Sequence, residues 1–274
     1  MKNKFSAFTL AEVLVALSII GVVAALTIPA TIKDYRRHQV EVALKKNYNV
    51  LTQALIKAQV EYGSMNGWSE FQQDNLQKHE YGGLSVFTTK YLMPYLNVVS
   101  HKKDKYLNFG YEKGADVFRL ATDGYMLKLA DGTIYVIPTD VTVTGVKTGS
   151  NWDYKYARDI DIIIDVNGYK KPNKLGKDIF YFQYPIDGKN IEAYGETTID
   201  YNKSIDDYIT KMGWDPSDSD VRLRASQNMT RVSRILKPTE ALKDSCYSDA
   251  SGKYYCAAYI RRNGWKIPRD YPWL

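Results

Sequence analysis

The chain has 274 residues, 45% of them apolar, enough to bury a core and to exclude a disordered chain. Its net charge of +6 favours acidic partners such as nucleic acid or anionic lipid, but it is diluted along the sequence without a dense basic run, and a solvated surface is the usual reading of such a surplus. Cys246 and Cys256 match no common zinc spacing, the three histidines (His38, His79, His101) are scattered, and GxSxG, HExxH and Walker A stretches are absent, so the commonest hydrolase and nucleotide-binding motifs are missing. Tyrosines outnumber phenylalanines, 23 to 8, a bias toward side chains with an apolar body and a polar tip that suits surfaces meeting other subunits or ligands.

The first element is at the N-terminus. From Ala7 to Ile32 the only charged residue is Glu12, and residues 13–28 read VLVALSIIGVVAALTI. A run of this length crosses a bilayer core as a helix. Lys2 and Lys4 precede it, as in a signal-like leader. Lys33, Arg36 and Arg37 follow it against a single Asp34, so the positive-inside rule leaves orientation open or favours the reverse. Glu12 carries a penalty of about 2.5–3.5 kcal/mol at the centre of such a helix, less near an end, and therefore calls for a partner. An ordinary secretory signal is the rival reading, with Val23-Ala24-Ala25 as a small-residue site cut after Ala25. The run is long for that, and Glu12 is badly placed within it.

Ala7-Phe8-Thr9-Leu10-Ala11-Glu12, followed by the apolar run, resembles the prepilin cleavage and methylation motif of type IV pilins and type II secretion pseudopilins. The resemblance implies that a membrane-embedded prepilin peptidase cuts between Ala7 and Phe8 on the cytoplasmic face, that Phe8 is then N-methylated, and that Glu12 takes the glutamate position that pairs with the N-terminal amine of a neighbouring subunit. A buried lone carboxylate is expensive and a paired one is tolerated, so such pairing gives registry. The residue before the cut is usually Gly in the family and is Ala7 here. Pro29 stands where family helices often carry a proline, which removes a backbone hydrogen bond and implies local unwinding in a filament. The resemblance further implies an α+β fold: a long N-terminal helix, with membrane and amphipathic halves, packed on an antiparallel β-sheet head. The division is leader 1–7, transmembrane and assembly helix 8–32, stalk 33–62 and head 63–274. The implied partners are the prepilin peptidase, other pilin or pseudopilin subunits and an inner-membrane assembly platform. The implied location is a single-pass inner membrane protein with a cytoplasmic N-terminus and an extracytoplasmic head.

Beyond Pro29, the residues Ile32, Tyr35, Val40, Ala43, Leu44, Asn47, Leu51, Leu55 and Ala58 recur at three- and four-residue steps. This predicts an amphipathic helix ending near Tyr62-Gly63, where Gly can cap it. Asn66-Gly67 opens a polar stretch, and 87–96 is a short helical candidate ending near Pro94. Segments 117–120, 125–129 and 133–137, separated by Asp123-Gly124 and Asp131-Gly132, read as a β-meander. Segment 160–166 (IDIIIDV) reads as a more buried strand, and 179–183 as another. Asp159, Asp161 and Asp165 then share one face, read as a polar sheet face. Segment 200–220 is polar and acidic, a surface loop or insertion with a turn at Asp215-Pro216. Segment 221–236, with Arg222, Arg224, Arg231 and Arg234, is a short basic helix or, preferably, a solvated edge.

Three features of the head are site-like. Asp165, Asn167, Asn173 and Asp178 offer hard oxygens on a Gly-turned loop, a candidate calcium site similar in kind to the loop some pseudopilins carry. The spacing is not that of an EF-hand, Lys170, Lys171, Lys174 and Lys177 oppose a cation, and Asn167-Gly168 and Pro172-Asn173 suit turns without metal, the preferred reading. Cys246 and Cys256 would pair in an extracytoplasmic head, as many pilins close a C-terminal loop; two separate buried thiols are the alternative. Trp265 and Trp273, in a tail rich in Tyr, Pro and Arg, are expected to pin the terminus to the sheet; exposed, they would suit nucleic acid or sugars. Together these readings describe a non-enzymatic filament subunit, a minor pilin or pseudopilin. A DNA- or surface-binding minor pilin and a secreted soluble protein are the alternatives.

Overall fold

The computed structural model describes residues 9–64, 68, 85–104, 124–138, 142–143, 146–148, 151–153, 157–185, 190–228, 233–248 and 250–274. Helix α1 (Leu10–Tyr62) has 53 residues and is about 80 Å long at 1.5 Å per residue. Thr9 is its N-cap: the Glu12 N–H donates to the Thr9 hydroxyl, and the Thr9 N–H donates to Glu12 Oε2 at 2.8 Å, a reciprocal capping box. In the single chain α1 runs unbroken through Pro29. Gly63, at φ 78°, ends it as the sequence predicts.

The second half of α1 lies on a sheet. Leu44, Leu51, Ala54, Leu55 and Ala58 are buried at three- and four-residue steps, with Asn47 in phase among them. Ile32 and Tyr35, placed on the same stripe by periodicity, stay exposed because the head does not reach that far down the helix. A π-helical turn (Phe87–Leu92) and a 3-10 turn (Met93–Tyr95) follow, as expected for 87–96.

The strands are β1 (Val98–Asp104), β2 (Gly124–Leu129), β3 (Ile134–Pro138), β4 (Thr142–Val143), β5 (Val146–Thr148), β6 (Asn151–Asp153), β7 (Ala157–Asp165), β8 (Ile179–Pro185), β9 (Glu192–Ala193), β10 (Thr197–Asp200) and β11 (Ser233–Leu236). The main sheet runs β1-β2-β3-β7-β8-β9, antiparallel throughout, with β4 also pairing β7. Its alternation is clean. Leu127, Leu129, Tyr135, Ile137, Ile160, Ile162, Ile164, Phe180, Phe182 and Tyr184 share the core with α1. Ile134, Val136, Ile163, Ile179 and Tyr181 form a second cluster, packed by Met126, Leu175, Tyr194 and Tyr254. This corrects the polar-face reading: Asp161 and Asp165 are buried beside that cluster, and Gln183 Nε2 donates to Asp161 at 3.1 Å. The expected strand at 117–120, Asp123 and Asn66-Gly67 lie outside the described residues. The Asp131-Gly132 turn is present, with Gly132 at φ 91° and the Thr133 N–H donating to Asp131 Oδ1 at 3.0 Å.

Segment 200–220 is not a loop. It enters helix α2 (Tyr201–Met212), turns at Asp215-Pro216, and continues in α3 (Ser219–Asn228), between β10 and β11. The acidic composition masked an amphipathic repeat in which Ile205, Tyr208 and Ile209 face inward and Ile209 is buried. Segment 221–236 is correspondingly the rest of α3 followed by β11, rather than a solvated edge. Arg222 holds Asp206 of α2 at 2.7 Å. The chain closes with α4 (Thr239–Tyr247), a 3-10 turn (Ala250–Tyr255) and α5 (Cys256–Arg262), which bring Leu242, Cys246, Cys256, Ala257, Ile260 and Tyr271 into the main core.

Candidate functional site

The unusual surface of this molecule is the first half of α1. It is apolar and long enough to cross a membrane, and nothing among the described residues covers it. Leu10, Val15, Leu17, Ile20, Val22 and Leu26 are each 60% or more exposed. Leaving so much apolar surface in water is unfavourable at about 25 cal/mol per Å², so this half requires lipid or other apolar helices around it. Glu12 lies near its start. Its Oε2 accepts from both the backbone N–H and the hydroxyl of Thr9, so in the single chain the carboxylate is occupied by its own N-cap. Both bonds fall on Oε2, so a neighbour's amine could meet Oε1 without displacing Thr9. Ala7 and Phe8 lie outside the described residues.

The other half of α1 is locked to the head by polar side chains on its buried stripe. Glu41 Oε1 accepts the Ile267 N–H at 2.8 Å, and Glu41 Oε2 accepts Lys266 Nζ at 3.1 Å. The Tyr135 hydroxyl donates to Asn47 Oδ1 at 2.9 Å, and Lys46 holds Asp131 at 2.8 Å. Arg261 stacks over Tyr48, donates to its hydroxyl, and pairs with the buried Glu196. Near the far end Gln59 donates to the Tyr184 hydroxyl, and the Tyr95 hydroxyl donates to Glu61. The sequence reading missed Glu41. Its only signal was a charged residue in phase with the stripe, three before Leu44.

Trp265 and Trp273 pin the tail, but to α1 and α4 rather than to the sheet as expected. The Trp265 ring packs 5.0 Å from Tyr48, Trp273 Nε1 donates to the Cys246 carbonyl at 2.9 Å, and the Tyr271 hydroxyl donates to the Gly176 carbonyl. Cys246 and Cys256 are paired in a disulfide that links α4 to the start of α5.

The structure also brings the four candidate calcium ligands into one loop between β7 and β8. Asp178 Oδ2 accepts from the Asn173 N–H and Asn167 Nδ2, and its Oδ1 accepts from the Lys174 N–H. Asp165 Oδ1 accepts the Asn167 N–H at 3.2 Å. The Asn173 amide fits as a donor to the carbonyls of Gly168 and Lys170. Burial, and then the adjacent Asp178 charge, push Asp165 up to about 8; burial raises Asp178 as well. Asn167 Oδ1 is buried without a donor. Among the described residues no three His, Cys, Asp or Glu side chains gather as a ligand set. Both Asp178 oxygens already serve N–H donors, and an ion would have to compete with them. The geometry favours a self-supporting turn.

Residues 2–28 match a prokaryotic N-terminal methylation motif. Residues 30–274 match a family described as a family of unknown function, DUF6613. No curated protein and no solved structure matches the chain. The first match supports the pilin-like resemblance, and a long apolar-tipped helix on an antiparallel sheet is the pilin-like layout.

Proposed function

Because the chain belongs to the DUF6613 family and opens with a prokaryotic N-terminal methylation motif, we propose that it is a filament subunit, a minor type IV pilin or a type II secretion pseudopilin. Prepilin peptidase cuts it between Ala7 and Phe8 and Phe8 is methylated. The first half of α1 then holds the chain in the inner membrane until that segment packs among the helices of other pilin subunits on an assembly platform. The observation that carries this reading is the uncovered half of α1 at the motif, continuous with a half whose inner stripe the head buries. Glu12, whose Oε2 is held by Thr9, supplies registry by accepting the amine of a neighbouring Phe8. The head's polar groups serve packing, which supports a structural role rather than an enzymatic one.

The test is intact mass and N-terminal peptide mapping of the protein taken from its native membrane. A chain beginning at N-methylated Phe8 supports the proposal. A chain beginning at Leu26 overturns it in favour of an ordinary secreted protein. The DNA-binding alternative loses the tail aromatics as its basis, because Trp265 and Trp273 are engaged in packing. Calcium in the β7–β8 loop is a separate proposal, favoured by the undonated Asn167 Oδ1. A rise in Tm with calcium chloride that EGTA reverses would establish it.

A further inference from the structure

We propose that the end of the head nearest the apolar half of α1 is a docking face for an anionic phospholipid surface, an inference that rests on reading that half as a membrane span. The direction of the sheet against α1 defines this end. Tyr184, near the end of β8, meets Gln59, whereas Ile179, at its start, pairs with Asp165, which pairs with Ile134. Next to Ile134, Thr133 meets Asn47, and Asp131 meets Lys46. The β7–β8 loop, the β2–β3 turn and the tail at Ile267 therefore all lie at the span side of the head. Glu41, where the tail docks, is about 13 Å along the helix from Ile32. A headgroup layer takes up about 5–8 Å of that distance, leaving roughly one Debye length.

The charges at this end are sorted. The carboxylates that these contacts place here are buried or paired: Asp165 and Asp178 inside the loop, Asp131 with Lys46, Glu41 with Lys266, Asp34 with Arg37 and Asp270 with Lys243. Lys33, Arg36, Lys45, Lys170, Lys171 and Lys177 form no ion pair among the described residues. The result, among the described residues, is an outward surface on which these six cations are not held in ion pairs. The loop that carries three of them is already ordered by Asp178 and by the Tyr271 hydroxyl on Gly176, so binding need not organise it. Juxtamembrane cations are drawn to anionic lipid and lie within its field only at this distance. The proposal also accounts for the excess of Lys and Arg after the span, which the positive-inside rule would not place on the outer side: here they serve as headgroup contacts.

The test uses the full chain in vesicles of phosphatidylcholine alone or with about 30% phosphatidylglycerol. Lysines are acylated with an impermeant reagent and read by peptide mass spectrometry. Flotation of the chain with the vesicles reports insertion independently. The expected result is flotation in both lipids, with Lys170, Lys171 and Lys177 acylated about threefold or more slowly in the anionic vesicles, and the difference erased at about 0.5 M salt. Lys57, exposed on the far part of the stalk, should react equally in both. Flotation with equal acylation of the three lysines overturns the docking face and leaves the span intact. Protection that is equal in both lipids also overturns it, because the contact would then be independent of lipid charge. Failure to float overturns the span reading, and this inference with it.

Discussion

Glu41 and Asp165 are buried carboxylates with opposite consequences. Glu41 meets a backbone N–H and an ammonium, so its charge is matched. Glu41→Ala leaves the Ile267 N–H without an acceptor and should cost about 2 kcal/mol, the range for a hydrogen bond to a charged group. Denaturant unfolding of the detergent-solubilised chain would read this, together with faster proteolysis of the tail. Asp165 instead sits against Asp178 and binds its proton more tightly in the folded chain than an unfolded aspartate, which titrates near about 3.9. The folded state therefore holds more protons between about pH 4 and 8, and stability falls as pH rises through that window. Asp178, raised in the same direction, adds to the slope. Asp165→Asn keeps an acceptor for the Asn167 N–H and removes the charge. Its Tm should exceed that of the unmodified chain at pH 8 by roughly 5 °C and match it near pH 4. An unchanged slope would mean that Asp165 is not the group responsible.

At the scale of elements, the C-terminal staple and the stalk divide the work. The disulfide closes a loop of sequence separation 10 between two helices whose other residues already fill the core. Its contribution by chain entropy is about 3 kcal/mol, a model-dependent figure. Reduction should lower the unfolding midpoint accordingly without releasing the first half of α1 from lipid. Far-UV dichroism under reducing conditions, with flotation in parallel, checks both halves of that statement. The elements differ in how plainly they could be read. The stalk, the Asp131-Gly132 hairpin and the β7–β8 pair were legible because each repeats one period without interruption. The helices between β10 and β11 were not, because the inward residues of α2 are few and stand among polar and acidic side chains, and composition outweighed spacing. β1 was missed for a similar reason: after Val98-Val99 it reads Ser-His-Lys-Lys-Asp, an edge strand whose outer side chains carry no apolar alternation. The polar-face reading of β7 failed because Asp161 is buried beside Tyr181 and Asp165 is buried against Asp178, partners on later segments that no local pattern displays.

For the whole molecule, one helix belongs to two environments. Its stalk half completes the head, and its first half is a foreign body in water. A chain beginning at Lys33 should therefore be monomeric and soluble without detergent, and the full chain should not. Size-exclusion chromatography with and without detergent decides this; aggregation of the shortened chain would show that the head itself exposes a second sticky surface. The candidate assembly residues Glu12 and Pro29 were legible because a charge and a proline stand out in an aliphatic run, whereas the grip of the head on the stalk was not, because Glu41, Asn47 and Tyr48 find partners far along the chain.

That separation has a temporal meaning. The acceptor on Glu41 waits for an amide 226 positions later, and Tyr48 waits for Arg261, 213 positions later. During synthesis from the N-terminus the stalk would emerge first, the sheet strands would then cover most of its inner stripe, and Glu41 and Tyr48 would wait for the tail. A message broken shortly before Ile267 would yield an anchored but unfinished protein, its stalk unclasped and open to proteases. In the filament reading, the tail's contacts with Glu41 and Tyr48 would thus separate subunits whose stalk is clasped from those whose stalk is not.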